Sequence, residues 1–301
     1  MTAPITLRAP AKLNVGLEVT GRRPDGYHEL VTIFQAIALH DTLTVAPAAD
    51  LTLTVETPDD PAGAPALADG DNLVLRAAQA LNDRAGGPPR GATLTLVKRI
   101  PVAAGLGGGS SDAAAALLAL DRLWGLGAPA EDLAALAAGL GADVPFFLRG
   151  GTALATGIGE RLAPLPPLAA AGSSWFVTLT PPLALPAAKT RRLYAALRPA
   201  DFGDGGRTRA QAARLRAGLP LDPALLVNDF AGPLERLYPE LAAWRARFLA
   251  AGAPWALLSG SGPTLFTAAD SEAEARRLAG RLAGAGARVH VAAPLAPDPA
   301  R

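Results

Sequence analysis

Apolar residues alternate with polar ones over much of the first third of the chain, a pattern typical of β-strands. In residues 12–19 every second side chain from Leu13 to Val19 is apolar, which predicts a half-buried strand. Because successive strand side chains point to opposite faces, Lys12 and Asn14 share the other face of this strand. Further strands are expected at 31–39, 43–46, 51–56 and 92–98.

Apolar residues at helical spacing appear between these strands and after them. Helices are predicted at 71–85, 110–125 and 130–139, followed by a loop at 141–151. Asp71 and Asn72 precede the first apolar-periodic stretch, and Asp71 is expected to cap that helix. The second helix is rich in Ala and Leu, and its predicted start is Ser110 or Ser111.

A Pro- and Ala-rich stretch at 163–172 is the predicted domain boundary, dividing the chain into residues 1–162 and 163–301. In the second part, strands are expected at 175–180, 255–258, 264–268 and 287–293, and helices at 189–197, 207–217, 233–251 and 271–284. A strand-helix-strand-strand-helix-strand order with extra helices predicts a ferredoxin-like α+β sandwich.

Glycines are concentrated in the segment PVAAGLGGGSS, residues 101–111. Glycine lets an anion approach the backbone closely, and the predicted helix that follows offers unpaired amides and a favourable dipole. Ser110 and Ser111 are expected to cap this helix and to offer hydroxyls to phosphate or Mg²⁺. The segment matches neither the P-loop nor the dinucleotide-binding spacing. The alternative is a turn that joins a strand to a helix.

A second glycine-rich segment, LSGSGP, spans residues 258–263 between two predicted strands. Taken alone it is interpreted equally well as a hairpin turn. Together with the first segment it predicts a second wall of a phosphate site.

Composition excludes several classes of site. Without any cysteine the chain has no disulfide, thiolate metal site or cysteine nucleophile, and its 3 histidines lack metal-ligand spacing, so no metal-ligating residue is predicted. A net charge of +1 argues against a nucleic-acid or anionic-membrane partner. No apolar run is long enough for a membrane span, and the N-terminus does not resemble a signal peptide, so a cytoplasmic location is expected.

Lysine is rare in this chain, with Lys12, Lys98 and Lys189 standing among 28 basic residues. Lys and Arg differ where a compact point charge is needed, so we expect one or two of these lysines to be functional. For Lys189, the alternative is that a lysine occurs at this position by chance and has no function.

Asp143, Tyr27 and His28 are further candidates for chemistry or recognition. Asp143 is interpreted either as a cap for the following turn or as a site carboxylate. Lys12 beside such a carboxylate would keep it ionised and would stabilise a developing alkoxide. Tyr27 and His28 follow a Pro-Asp-Gly turn signal and are either surface residues or a platform for a flat ring.

Three separated blocks resemble the GHMP kinase superfamily: PAKLNVGL at 10–17, PVAAGLGGGSSDAAAA at 101–116 and LSGSGPTLF at 258–266. Within it, RRPDGYHEL at 22–30 and GADVPFFLRGGTALATGIGE at 141–160 resemble the kinases that act on 4-diphosphocytidyl-2-C-methyl-D-erythritol. The resemblance implies an N-terminal ATP-binding domain like the second domain of ribosomal protein S5. It also implies a ferredoxin-like C-terminal kinase domain, with the active site in the cleft between them.

The resemblance also implies an ATP- and Mg²⁺-dependent transfer to a cytidine-diphosphate-linked small molecule, by a monomer or homodimer. It assigns the catalytic pair to Lys12 and Asp143. It places the ATP phosphates at Pro101, Val102, Ala103, Ala104, Gly105, Leu106, Gly107, Gly108, Gly109, Ser110 and Ser111, and the adenosine near Asn72 and Lys98. It places the other substrate at Asn14, Tyr27, His28, Gly260, Ser261 and Gly262, with Tyr194 as the second aromatic over cytosine. The segment that carries Tyr194 is two residues longer than the family pattern.

Three other functions are alternatives to this one. Another GHMP kinase, acting on homoserine, mevalonate or a sugar, would share the glycine segment but lack RPDGYHEL. A non-catalytic nucleotide-binding protein would be favoured by loss of Asp143 or Lys12, and both are present. An RNA-binding role is suggested only by the ribosomal likeness, and the near-zero net charge speaks against it.

Overall fold

Two β-sheets, each covered by helices, organise the chain. The computed structural model describes residues 3–58, 67, 70–168, 175–183, 185–186 and 188–298. The strands are β1 Ile5–Arg22, β2 His28–Ala48, β3 Leu51–Glu56, β4 Gly91–Val97, β5 Thr152–Gly157, β6 Arg161–Leu165, β7 Trp175–Thr180, β8 Leu257–Leu258, β9 Leu265–Ala269 and β10 Arg288–Ala292. The helices are α1 Leu73–Ala85, α2 Gly108–Trp124, α3 Ala130–Leu140, α4 Val144–Phe147, α5 Lys189–Ala196, α6 Gly206–Arg216, α7 Ala231–Leu237, α8 Glu240–Ala250 and α9 Glu272–Leu282.

The first sheet has the order β3-β4-β2-β5-β6, with β1 paired to β2. All its pairs are antiparallel except β3 with β4. The two strands predicted at 31–39 and 43–46 form one continuous strand, β2. Register shifts in β1, such as the one between Pro10 and Ala11, bend the β1–β2 pair so that it continues without breaking.

Strand β1 is buried on both faces, whereas its alternation predicted burial on one. Lys12 and Asn14 are only 3% and 1% exposed. The backbone N–H of Lys12 donates to the carbonyl of Leu106 at 2.9 Å, and that of Leu17 donates to Val227 at 2.9 Å. The glycine segment and residues from the second half of the chain therefore cover the polar face of this strand.

The second sheet has the order β10-β7-β9-β8, and all its pairs are antiparallel. With the intervening helices this is the ferredoxin-like strand-helix-strand-strand-helix-strand arrangement, which confirms the predicted α+β class.

Strand β6 pairs with β5 of the first sheet through Leu165. We therefore propose a domain limit after Leu165, because the boundary expected at 162 falls inside this strand. Residues after β10 return to the first sheet, where Leu295 N–H donates to Ala36 at 2.8 Å.

Three local predictions need correction. The N-cap of α1 is Asn72, whose side-chain oxygen accepts from the Val74 N–H, and not Asp71. The single helix expected at 233–251 is two helices, α7 and α8, because Pro239 has no N–H to donate within a helix. The loop expected at 141–151 contains the short helix α4.

Helix α2 is buried along one continuous run from Ser111 to Leu120, packed among the first sheet, α1 and α3. Its alanines explain this position, because a helix with small side chains fits where other elements surround it closely. The helix is thereby fixed with its N-terminus, and the glycine segment before it, at the boundary between the two sheets. Within the described residues, no helix is long and apolar enough to cross a membrane.

Candidate active site

The glycine segment 101–111 turns sharply before α2. Gly107 is the N-cap with a left-handed φ of 73°, and no side chain of the described residues caps the helix. Ser110 and Ser111 therefore lie inside the first turn, which corrects the prediction that they cap it. At Gly105, with φ 81°, a Cβ atom would lie 2.2 Å from the Ser259 carbonyl oxygen. Only glycine fits there, and the first amides of α2 stay available to an anion.

Three cavities border this segment, and two of them meet at its glycines. The larger, about 560 Å³, lies over β1 and β2 and includes Lys12 and Asp143 in its lining. The smaller, about 280 Å³, lies on the side of α1 and β4 and is lined by Asn72, Lys98 and the stretch from Pro101 to Ser110. Gly105, Gly107 and Ser110 line both. The arrangement allows one ligand on each side of the glycine segment, with their reactive ends meeting beside Ser110.

Lys12 and Asp143 are brought together in the larger cavity. The Lys12 ammonium lies 3.7 Å from Asp143 Oδ2 and donates to Asn14 Oδ1 at 2.5 Å. Asn14 in turn donates to the Thr32 hydroxyl at 2.8 Å, and Thr32 donates to the Gly16 carbonyl at 2.6 Å. This chain of hydrogen bonds fixes the orientation of the lysine.

The electrostatics of this pair are set by burial. Burial lowers the pKa of Lys12, and the Asp143 carboxylate opposes that shift. Asp143 stands at the N-cap position of α4, yet its side chain makes no capping bond and is 33% exposed. The carboxylate therefore faces the lysine and the cavity, and the capping interpretation does not describe its contacts.

Aromatic rings line the far end of the same cavity. His28 stacks on Tyr194 with centroids 4.8 Å apart and an interplanar angle of 26°, and Tyr194 meets Phe230 edge-on at 4.9 Å. A ring cannot fit between two rings at this separation, so a flat ligand would stack on an outer face. Tyr27, 61% exposed, offers such a face. Burial, with nearby Arg22, lowers the pKa of His28, which keeps its imidazole neutral at neutral pH.

Only part of the second glycine segment lines the larger cavity. Gly260 and Ser261 line it, and the Ser261 hydroxyl lies 3.0 Å from that of Thr190. Gly262 does not line this cavity, and its carbonyl accepts a hydrogen bond from Lys189 instead. Of the three predicted residues of this segment, two therefore face the ligand space.

The smaller cavity contains a buried charge cluster. Lys98 donates to Asp41 and, at 2.5 Å, to Asp112. Burial works against the charge on Lys98, but Asp112 and Asp41 outweigh it and raise the pKa of this lysine. Burial, with the nearby Asp41 carboxylate, raises the pKa of Asp112 to about 7 against the pull of Lys98.

Asn72 and Lys98, the two residues predicted near an adenosine, thus use most of their polar groups in hydrogen bonds within the protein. Asn72 lines the smaller cavity, but its amide donates to Leu67 at 2.5 Å and its oxygen caps α1. The ammonium of Lys98 is held by its two carboxylates. Ser111 is fully buried, its hydroxyl has no hydrogen-bond partner among the described residues, and it lines neither cavity. The prediction that its hydroxyl faces a phosphate is therefore not met.

Comparison with known proteins identifies the family. The model for "GHMP kinases N terminal domain" matches residues 72–151, and that for "GHMP kinases C terminal" matches residues 211–288. The 4-diphosphocytidyl-2-C-methyl-D-erythritol kinase of Dehalococcoides mccartyi is 40% identical over 293 residues, covering 97% of this chain and 99% of that protein. The kinase of the same description from Kineococcus radiotolerans is 46% identical over 284 residues, covering 92% and 85%.

The chain belongs to the 4-diphosphocytidyl-2-C-methyl-D-erythritol kinase family of GHMP kinases. This confirms the predicted family. A solved structure described as 4-(cytidine 5'-diphospho)-2C-methyl-D-erythritol kinase superposes with a TM-score of 0.79 at 41% identity, covering 96% of this chain and 99% of that one. A homoserine kinase from Cytophaga hutchinsonii superposes with a TM-score of 0.69 at 19% identity, a likeness of fold alone.

In this GHMP kinase, sequence reasoning gave no role to several residues that shape the site. Asn228 donates to the carbonyls of Leu258 at 2.8 Å and Gly260 at 2.9 Å, and so holds the second glycine segment in place. Asp41 accepts from Lys98 and from two backbone amides. A polar residue in an apolar stretch, such as Asp112 in the Ala-rich helix, was the available signal for such positions.

Proposed function

We propose that this chain transfers the γ-phosphate of ATP to the 2-hydroxyl of 4-diphosphocytidyl-2-C-methyl-D-erythritol, giving the 2-phosphate and ADP. The observation that carries the proposal is the Lys12–Asp143 pair, which faces the larger cavity beside the glycine segment that both cavities share. The names of the relatives at 40% identity and above support the choice of acceptor.

Asp143 is the proton acceptor in this proposal. Its exposed carboxylate accepts the proton of the acceptor hydroxyl while that oxygen forms a bond to the γ-phosphorus and the bond to the ADP oxygen breaks. Phosphoryl transfer depends mainly on positioning and charge stabilisation. A carboxylate fixed at the start of α4, opposite a lysine on β1, meets that requirement.

Lys12 keeps Asp143 ionised and stabilises negative charge on the acceptor oxygen and the γ-phosphate. Its buried position strengthens these interactions, because the effective dielectric constant is lower than in water. Asn14 orients Lys12 through the 2.5 Å hydrogen bond and holds the methylerythritol part of the acceptor.

The nucleotide occupies the smaller cavity, with its phosphates on the glycine segment from Pro101 to Ser110 and on the first amides of α2. The cytidine end of the acceptor stacks on Tyr27 and hydrogen-bonds His28, beside Tyr194, while its diphosphate lies near Gly260 and Ser261. Arg191, which also lines the larger cavity, adds positive charge at that end.

A magnesium ion fits this arrangement through its ligand chemistry. Within the described residues there is no cluster of three acidic or histidine side chains, and Mg²⁺ commonly takes most of its oxygen ligands from substrate phosphates and water. Ser110 is the residue that would hold it, since it lines both cavities and carries a hydroxyl. When bound, the ion neutralises charge on the transferred phosphate.

A cytoplasmic location and a monomeric or homodimeric state stay predictions.

An ATP-consumption assay with Mg²⁺ tests the proposal, comparing 4-diphosphocytidyl-2-C-methyl-D-erythritol with homoserine, mevalonate and galactose. We expect turnover with the cytidylyl compound alone. Turnover with another of these alcohols would refute the acceptor assignment and the roles of Tyr27 and His28. ATP binding without turnover of any of them would favour a non-catalytic nucleotide-binding protein.

A further inference from the structure

Lys189 connects the two glycine segments. It is the first residue of α5 and is 3% exposed. Its ammonium donates to the carbonyl of Ala103 at 2.8 Å and to the carbonyl of Gly262. Ala103 belongs to the nucleotide side of the site and Gly262 to the second glycine segment, so one buried cation joins parts of the chain that belong to different sheets.

The backbone of the glycine segment is shaped for this contact. Ala103 has a φ of 53°, and it is the one non-glycine residue with positive φ in the described part of the chain. A left-handed conformation is unfavourable for alanine because its Cβ atom crowds the backbone, so other contacts must hold it. Donation from a charged ammonium to the carbonyl of this residue is such a contact, because charge-assisted hydrogen bonds are stronger than neutral ones.

Among the described residues, two more hydrogen bonds join the first glycine segment to the second one and to Thr264, the residue that follows it. The Ser259 hydroxyl donates to Gly105 at 3.0 Å, and the Thr264 N–H donates to Ala104 at 3.3 Å. These are neutral hydrogen bonds at the edge of the contact. Lys189 supplies the charged one and reaches both segments at once.

The charge of Lys189 is not neutralised by its two partners, which are both carbonyl oxygens. Burial, together with the nearby cation Lys12, lowers the pKa of Lys189 to about 8. An unneutralised buried cation is costly unless an anion is bound close by. A polyphosphate on the glycine segment would supply that anion.

We propose that Lys189 is a positioning residue that fixes the glycine segment against the second glycine segment in the form that binds the phosphates of ATP. Its role is distinct from that of Lys12, because its ammonium is directed to the backbone and not to Asp143. The proposal rests on the proposed function only for the nature of the phosphate donor.

The test compares three variants. Lys189→Met removes the donors and keeps a similar length, Lys189→Arg keeps the charge, and Arg192→Met removes an exposed cation from the same helix as a control. The dissociation constant of a non-hydrolysable ATP analogue is measured by calorimetry, and KM and kcat are measured where turnover occurs. Circular dichroism and the thermal midpoint report whether each variant is folded.

We expect Lys189→Met to weaken binding of the analogue by about 10- to 100-fold, as for loss of charged hydrogen bonds. Lys189→Arg should lose about fivefold or less, since its charge is retained, and Arg192→Met should match the wild type. The KM for the acceptor should change by less than about threefold in all three, because Lys189 does not line its cavity.

Two results would overturn the proposal. The first is unchanged analogue binding in folded Lys189→Met. The second is an equal loss of affinity for the ATP analogue and for the acceptor together with a lowered thermal midpoint, because that would indicate a general structural role. If Lys189→Met does not fold, wild type and Lys189→Arg are compared between pH 7 and 9.5. Analogue binding should weaken with pH in the wild type by about threefold more than in Lys189→Arg, which stays charged, because any contribution from Lys12 is common to both proteins. Equal slopes would contradict the role. The dissociation constant of the ATP analogue is measured without turnover. This test therefore remains valid even if the proposed acceptor is wrong.

Discussion

The ammonium nitrogen of Lys12 lies 3.7 Å from a carboxylate oxygen of Asp143. The lysine belongs to the longest buried stretch of β1, and the aspartate stands at the start of α4, far along the chain. Packing of α2 between the first sheet and α4 brings the two together at the end of the glycine segment. The part of the chain before Leu165 therefore supplies both the proposed proton acceptor and the cation beside it.

Asp143→Asn should bind both substrates yet lose about 10²- to 10⁴-fold in kcat, because an amide cannot accept the proton from the hydroxyl. Asp132 offers a control outside both cavities: its carboxylate is 26% exposed, and Asp132→Asn removes its ion pair with Arg84 and should leave kcat unchanged. Steady-state kinetics measure both variants. A kcat for Asp143→Asn within a few-fold of the wild type would rule out its role as base.

Tyr27→Ala should raise the KM for the cytidylyl substrate by about tenfold or more and leave the KM for ATP nearly unchanged, since stacking of a base on an aromatic ring contributes about 1–3 kcal/mol. The ring is 61% exposed, so its removal should not affect folding. Tyr27→Phe keeps the stacking face and serves as the control. Equal effects on both substrates would indicate a structural role for Tyr27.

Asp112 should make stability depend on pH. Its pKa is raised from 3.8 to about 7 by burial, so the folded protein holds a proton that the unfolded chain releases above about pH 4. The contribution to stability is therefore full below about pH 4 and is lost as pH rises to about 7, by at most about 4 kcal/mol.

Urea unfolding of the wild type and Asp112→Asn between pH 4 and 8 measures this difference. The variant should lack the fall in unfolding free energy that the wild type shows over this range, after other titrations common to both are subtracted. Asp83→Asn, which alters an exposed carboxylate on α1, should keep the wild-type slope. Parallel curves for wild type and Asp112→Asn would show that Asp112 has an ordinary pKa.

Gly105→Ala should lower the thermal midpoint, because the new Cβ would lie 2.2 Å from the Ser259 carbonyl oxygen and φ is 81°. The left-handed conformation alone costs about 1–2 kcal/mol in a residue with a side chain. Gly109→Ala is the control, since its Cβ would meet only Leu73 Cδ1 at 3.7 Å, and alanine favours a helix. Calorimetry measures both. Equal midpoints for the two variants would argue against the close contact at Gly105.

Much of the fold could be predicted because local patterns and tertiary packing agree. The alternation in β1 and the Ala-rich composition of α2 each correspond to an observed element. The ends of helices were predicted less well where a single residue decides where a helix begins or breaks. Asn72 rather than its neighbour caps α1, and Pro239 divides the helix expected at 233–251. Caps and breaks depend on which single side chain or missing N–H meets the backbone.

The candidate site could be predicted in part, from motifs that carry their own chemistry. The sequence by itself determined the glycine segment that precedes α2, the α+β order of elements, and the polar residues Lys12 and Asp143, because residue type and local spacing are enough to indicate these features. Only the tertiary structure decided that Lys189 joins the two glycine segments and that Lys98 is enclosed by two carboxylates. Such contacts join residues far apart in the chain, and burial, which sets their charge and their partners, exists only once the sheets have packed.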